Sequence, residues 1–169
     1  MLTFILASPA QTRTLARALA ELLRPPAIVT IEGDLGTGKT TLVREILRSR
    51  GVRGVITSPS FALAQSYRGR EGEELHHLDL YRLAAGADAD LFAWDDYLGP
   101  QAITFVEWPA AGSEALPAPD LRLELEHRTR QSRAARLRGE PSVEDAVTTS
   151  LVDQGIRVSA GAAAGEVNA

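Results

Sequence analysis

Apolar and polar positions along this 169-residue chain alternate with several different periods, and each period predicts an element. Leu2 to Leu6 is a short apolar run that reads as a strand. Ser8-Pro9 then supplies an N-cap with proline at the first helical position. Leu15, Leu19, Leu22 and Leu23 recur at helical spacing, predicting a helix over residues 9–23 that Pro25-Pro26 ends. Ala27-Ile28-Val29-Thr30-Ile31 is compact and β-branched, the pattern of a buried strand. After a glycine-rich turn, Leu42, Val43, Ile46 and Leu47 share one face of a helix over 41–49, stopped by Gly51.

Further along, 55–57 and 61–67 look extended around a polar turn at 68–72, and 74–80 reads as another strand. Residues 84–98 suggest helix plus loop. Residues 101–106 form a second buried-strand candidate that runs into Glu107-Trp108-Pro109. Leu121 to Glu126 alternates strictly, predicting an antiparallel or edge strand with one wet face. Residues 143–152 suggest a short helix, and 160–169, rich in small residues, suggests disorder. Strand, glycine loop and helix in succession open an α/β unit.

Composition narrows the possibilities. Hydrophobic residues make up 44% and charged residues 24%, ordinary for a globular domain. No apolar run approaches the eighteen or so residues a membrane span requires. The N-terminus lacks the basic region of an export signal, so a cytoplasmic location is the expectation. Without cysteine there is no disulfide, thiol or cysteine-zinc chemistry. The net charge of −4 argues against broad nucleic-acid binding. Every Lys or Arg position but one is arginine, and the exception, Lys39, falls inside a phosphate-binding motif.

That motif is Gly33-Asp34-Leu35-Gly36-Thr37-Gly38-Lys39-Thr40, a full match to G-x-x-x-x-G-K-[ST]. Its glycines let successive N–H groups turn inward around an anion, and the next helix aims its positive end at the same place. Lys39 adds charge at the β- and γ-phosphates, Thr40 offers a hydroxyl to Mg²⁺, and Thr41 is placed for the α-phosphate. Such a site also needs a carboxylate at a neighbouring strand end. Glu107 and Asp79 are the two candidates. His76 and His77 are adjacent, so on a strand they point to opposite faces and do not form a joint metal site. Guanine recognition by N-K-x-D is impossible with a single asparagine at Asn168, which leaves an adenine nucleotide, ATP, as the better fit.

The ordered set Gly33 to Thr41, Thr57-Ser58-Pro59-Ser60-Phe61, His77-Leu78-Asp79-Leu80-Tyr81-Arg82-Leu83 and Val106-Glu107-Trp108-Pro109 resembles the TsaE (formerly YjeE) family over residues 3–138. The resemblance implies an α/β P-loop NTPase fold with a central mixed, mostly parallel sheet flanked by helices. It implies an ATPase domain over 1–138, which leaves 139–169 as a C-terminal extension without a counterpart, expected from its composition to be partly disordered. It further implies an accessory role beside TsaB and TsaD in placing a threonylcarbamoyl group on the tRNA adenosine next to the anticodon, with tRNA reached indirectly through that complex.

By the same resemblance Gly36, Thr37, Gly38, Lys39, Thr40 and Thr41 hold nucleotide. Thr40 and Glu107 hold Mg²⁺, and Asp79, Glu107 and Lys39 carry the catalysis. Ser60 belongs to a switch-like loop, Trp108 lies near the nucleotide, and Thr12 and Arg133 match positions near base or ribose. Ser60 and Thr37 depart from the family's usual threonine and alanine, and Trp94 from a common glycine. A small-molecule P-loop kinase is the alternative, with Arg128, Arg130, Arg133, Arg136 and Arg138 as material for a lid.

Overall fold

The computed structural model describes residues 1–59, 62–83, 93–112 and 116–160. The helix plus loop expected over 84–98 lies for the most part, and Ser60 and the segment 161–169 lie entirely, outside the described residues. The elements are β1 (Leu2–Leu6), α1 (Pro9–Leu22), β2 (Ala27–Glu32), α2 (Lys39–Ser49), β3 (Ala64–Arg68), β4 (Glu74–Asp79), β5 (Ala102–Glu107), β6 (Leu121–His127), β7 (Arg133–Gly139), α3 (Pro141–Asp153) and β8 (Val158–Ala160).

Local signals act as their chemistry dictates. Ser8 caps α1 by accepting the Gln11 N–H at 3.4 Å, while the Gln11 side chain accepts the Ala7 N–H at 2.6 Å, a reciprocal arrangement close to a capping box. α2 ends at Gly51 in the left-handed region (φ 89°), with the Val52 N–H returned to Leu47 O at 3.0 Å. That is a Schellman closure, which a residue without Cβ permits.

The sheet runs β3-β4-β5-β2-β6-β7-β1-β8. Its parallel pairing is confined to the four central strands β4, β5, β2 and β6; β3 at one side and β7, β1 and β8 at the other pair antiparallel. The expected mostly parallel sheet is therefore parallel only at its centre, because β3–β4 and β6–β7 are hairpins and β1 inserts antiparallel between β7 and β8.

α1, α2 and α3 pack on one face, burying Leu15, Leu19, Leu42, Ile46, Val147 and Leu151 against Phe4, Val29, Ile31, Phe105, Leu123 and Leu137. A second cluster of Leu78, Leu80, Leu83, Trp94 and Val106 covers the opposite face of β4 and β5. β6 is not an edge, contrary to one reading of its alternation: it lies between β2 and β7. Its wet face exists because no described element covers that side, where Arg136 bridges Glu124 at 2.9 Å and Glu126 at 3.3 Å. Residues 55–57 make no strand; Ile56 is buried and its carbonyl is fixed to α2 by Arg44 Nε at 2.9 Å.

Residues 141–160, part of the segment read as an extension beyond 138, join the same core and sheet. Val147 and Leu151 are fully buried, and β8 pairs antiparallel with β1. The helix expected over 143–152 is α3, which starts earlier, at Pro141.

Candidate functional site

Parallel register brings the strand ends together. Asp79 closes β4 opposite Glu107, which closes β5, and both face the loop between β2 and α2. The loop's shape depends on glycine at φ 136°, 77° and 103° for Gly33, Gly36 and Gly38. At Gly33 the demand is steric as well, since a Cβ would stand 2.1 Å from Leu125 O on β6. Thr37 is buried and ties the loop to itself, its Oγ1 donating to Asp34 O at 2.9 Å. From outside, Arg133 on β7 braces the same loop, with Nε donating to Thr37 O at 2.8 Å.

Lys39 is only 4% exposed. Its Nζ donates to Gly33 O at 2.6 Å and Asp34 O at 2.9 Å, and lies 3.9 Å from the centroid of the Trp108 ring. Burial lowers the ammonium pKa below its ordinary value, against the opposing pull of Glu107, Asp79 and Asp34. Trp108 adopts a left-handed backbone (φ 58°) directly after β5 and packs on Tyr81, ring centroids 4.9 Å apart.

Thr40 Oγ1 donates to Glu107 Oε2 at 2.9 Å. The other oxygen, Oε1, accepts from His77 Nε2 at 2.7 Å. Asp79 Oδ1 accepts the Tyr81 N–H at 3.2 Å, and Ser58 Oγ, from the loop before β3, lies 3.4 Å from Asp79 Oδ2. A cavity of about 250 Å³ opens over these groups. Lys39, Thr40, Asp79, Glu107 and Trp108 line it, together with Gly36, Gly38 and Thr41 of the loop and helix start.

Thr12, in the first turn of α1, and Arg133 do not line this cavity, and Thr37 is turned away from it. Arg133 is held on loop carbonyls and Arg136 on two glutamates, so neither serves as a free lid arginine. The alternation of β4 separates the two histidines as expected: His76 meets Ser66 Oγ at 2.8 Å and the edge of Tyr97, while His77 faces Glu107. Tyr81 and His77 were not singled out as site residues from sequence. Both stand two positions from Asp79, a spacing that places His77 on the same face of β4.

The donors suit a hard cation. Thr40 hydroxyl and Glu107 carboxylate converge, and no group of three or more His, Cys, Asp or Glu among the described residues forms a cage. Mg²⁺ is held in this manner when phosphates and water complete its shell. A larger cavity of about 440 Å³ lies at the other end of α2, but its Arg24 and Arg70 donate to backbone carbonyls and its Arg50 pairs with Glu73.

The family model described as "Threonylcarbamoyl adenosine biosynthesis protein TsaE" matches residues 6–135. The chain belongs to the TsaE family. The TsaE protein of Streptomyces coelicolor is 39% identical over 115 residues, covering 68% of this chain and 78% of the relative. That of Haemophilus influenzae is 35% identical over 113 residues, 66% and 71% of the two chains, and that of Bacillus subtilis 31% over 117 residues, 69% and 72%. All three carry the name tRNA threonylcarbamoyladenosine biosynthesis protein TsaE. The crystal structure of Bacillus subtilis YdiB superimposes with a TM-score of 0.72 at 23% identity, covering 92% of this chain and 97% of that one, which establishes a shared fold. The TsaE match ends within β7, so α3 and β8 lie beyond it. No described helix is long and apolar enough to cross a membrane.

Proposed function

We propose that this TsaE-family chain binds ATP with Mg²⁺ and hydrolyses it in the cytoplasm, as an accessory to TsaB and TsaD homologues in threonylcarbamoyladenosine modification of tRNA. The observation that carries the reading is the meeting of Thr40 with Glu107 at 2.9 Å beside Lys39 and Asp79, in one cavity at the N-terminus of α2. A neutral small molecule has no use for that concentration of charge, whereas a triphosphate with a divalent cation matches it.

Each residue then has a distinct task. Lys39, already desolvated, gains from a phosphate oxygen what it now takes from two loop carbonyls. Thr40 and Glu107 would hold Mg²⁺, which supplies neutralisation of phosphate charge when bound. Asp79, at the cavity wall, is suited to orient water and take its proton. Trp108 covers Lys39 and excludes solvent from it. Contact with tRNA runs through the partners, in keeping with the net charge of −4.

The test is ATP turnover with TsaB, TsaD and tRNA added stepwise. Turnover is expected to be slow for the chain alone, to rise with the partners, and to collapse in Glu107→Ala. Rapid turnover by the chain alone, unchanged by TsaB and TsaD, defeats the accessory role. An unaffected Glu107→Ala variant defeats the assignment of Glu107.

A further inference from the structure

Glu107 has one carboxylate and two different partners, and the second of them is not accounted for by nucleotide binding. His77 is completely buried. It lies one strand away from Glu107, at the level of Phe105 in the parallel register of β4 and β5. Its Nε2 is 2.7 Å from Glu107 Oε1, and its Nδ1, also buried, has no hydrogen-bond partner among the described residues. A carboxylate can only accept, so Nε2 carries the proton and donates it to Glu107. Among the described residues, the single polar bond of this ring is therefore spent on one oxygen of one carboxylate.

The arrangement has a directional consequence. A glutamate side chain turns about its last torsion with little resistance, since that torsion is broad and nearly two-fold. Pinning Oε1 to His77 fixes the carboxylate plane and leaves Oε2 facing Thr40 Oγ1 at 2.9 Å. Phe105, Leu75 and Ile103 pack on the same face and offer no competing donor for Oε1.

We infer that His77 is a positioning residue for the cation site: its Nε2–H locks the Glu107 carboxylate so that Oε2, paired with the Thr40 hydroxyl, is presented to the Mg²⁺ of the bound nucleotide. This rests on the Mg²⁺–ATP reading above and adds to it a residue that touches neither metal nor nucleotide. Partners of this kind, bonded to the far side of a metal ligand, set the ligand's orientation, and their loss weakens metal binding by about 10–100-fold.

The experiment is equilibrium binding of a fluorescent, non-hydrolysable ATP analogue, first in EDTA and then across a MgCl₂ series. It compares the full-length chain with His77→Gln, His77→Asn and His77→Leu, the fold of each checked by thermal melting. Gln places an amide N–H close to where the imidazole Nε2 lies; Asn places it near Nδ1, out of reach of Glu107. Binding in EDTA is expected to be alike for wild type, Gln and Asn. The MgCl₂ midpoint is expected to rise about tenfold or more in Asn and Leu and to stay within about threefold of wild type in Gln. Equal midpoints for Asn and Gln overturn the inference, whether both match wild type or both are shifted, and the comparison stands without Leu if that variant does not fold. Absence of any Mg²⁺ effect in the wild-type chain would instead overturn the Mg²⁺–ATP reading itself, so the two failures are distinguishable.

Discussion

Thr40 and Glu107, separated by 67 positions in the chain, are joined by a 2.9 Å hydrogen bond that links the first turn of α2 to the end of β5. Neither residue is a site alone: the hydroxyl opens a helix and the carboxylate closes a strand. Their contact is created by β2, which delivers α2 on one side and pairs in parallel with β5 on the other.

On the proposed reading both groups address one cation, so their removal should not add. Thr40→Ala and Glu107→Gln are each expected to reduce Mg²⁺-dependent nucleotide affinity by about tenfold or more, and the double variant to fall little below the worse single one. Fluorescent-nucleotide titration over MgCl₂ measures the cycle. Fully additive losses would mean that the two side chains act separately.

Gly33→Ala should disable the loop. The new methyl would meet Leu125 O at 2.1 Å and the backbone would be held at φ 136°, so β6 or the loop must move. Loss of nucleotide binding with at least 1 kcal/mol of destabilisation, about the cost of such strained backbone, is the expected result in binding and urea unfolding.

The buried pair Arg50–Glu73, 3.2 Å apart, sits at the far end of α2 and should govern stability without touching nucleotide binding. Burial alone would raise the Glu73 carboxyl, but hydrogen bonds from its own backbone, from Arg50 and from the Glu71 N–H outweigh it and hold the pKa below 4.5. A carboxyl with a depressed folded-state pKa stabilises fully above its unfolded value and loses that contribution as pH falls through the folded one. Glu73→Ala is therefore expected to cost about 3–5 kcal/mol near neutrality. The gap between wild type and Glu73→Gln should shrink on acidification below about pH 4.5, where the wild-type carboxyl also becomes neutral. Urea melts across pH check both; a gap constant down to pH 3 would refute the linkage.

Leu151 on α3 is fully buried in the core shared with α1. Leu151→Ala should cost about 2–5 kcal/mol with nucleotide affinity unchanged, and a chain ending at residue 139 should melt at a markedly lower temperature. Identical melting of the shortened and full chains would mean that α3 contributes nothing to the fold.

The site was legible in proportion to how local each signal was. Gly33 to Thr40 is a contiguous motif whose backbone requirements are written in residue type, and the strand and helix beside it carry plain periodicity. Asp79 and Glu107 could be nominated from strand ends, but nothing in their own segments says that they are register partners. Arg133 looked like a group near the nucleotide; it braces the loop from behind, because β7 pairs with β6 next to Leu125, whose carbonyl abuts Gly33. β7 itself was hidden by its three arginines, which face outward or along the loop while Ala135 and Leu137 supply a short buried stripe.

By itself, the sequence determined the strand–loop–helix unit, the glycine-shaped loop that carries Lys39 and Thr40, and the opposite facings of His76 and His77, since these depend on residue type and on periods of two or 3.6. Only the tertiary structure decided which oxygen of Glu107 meets Thr40 and which meets His77, that β6 is interior, and that residues 141–160 complete the core. Those outcomes depend on strand order and register, which arise from contacts between segments far apart in the chain and leave no mark within any one of them.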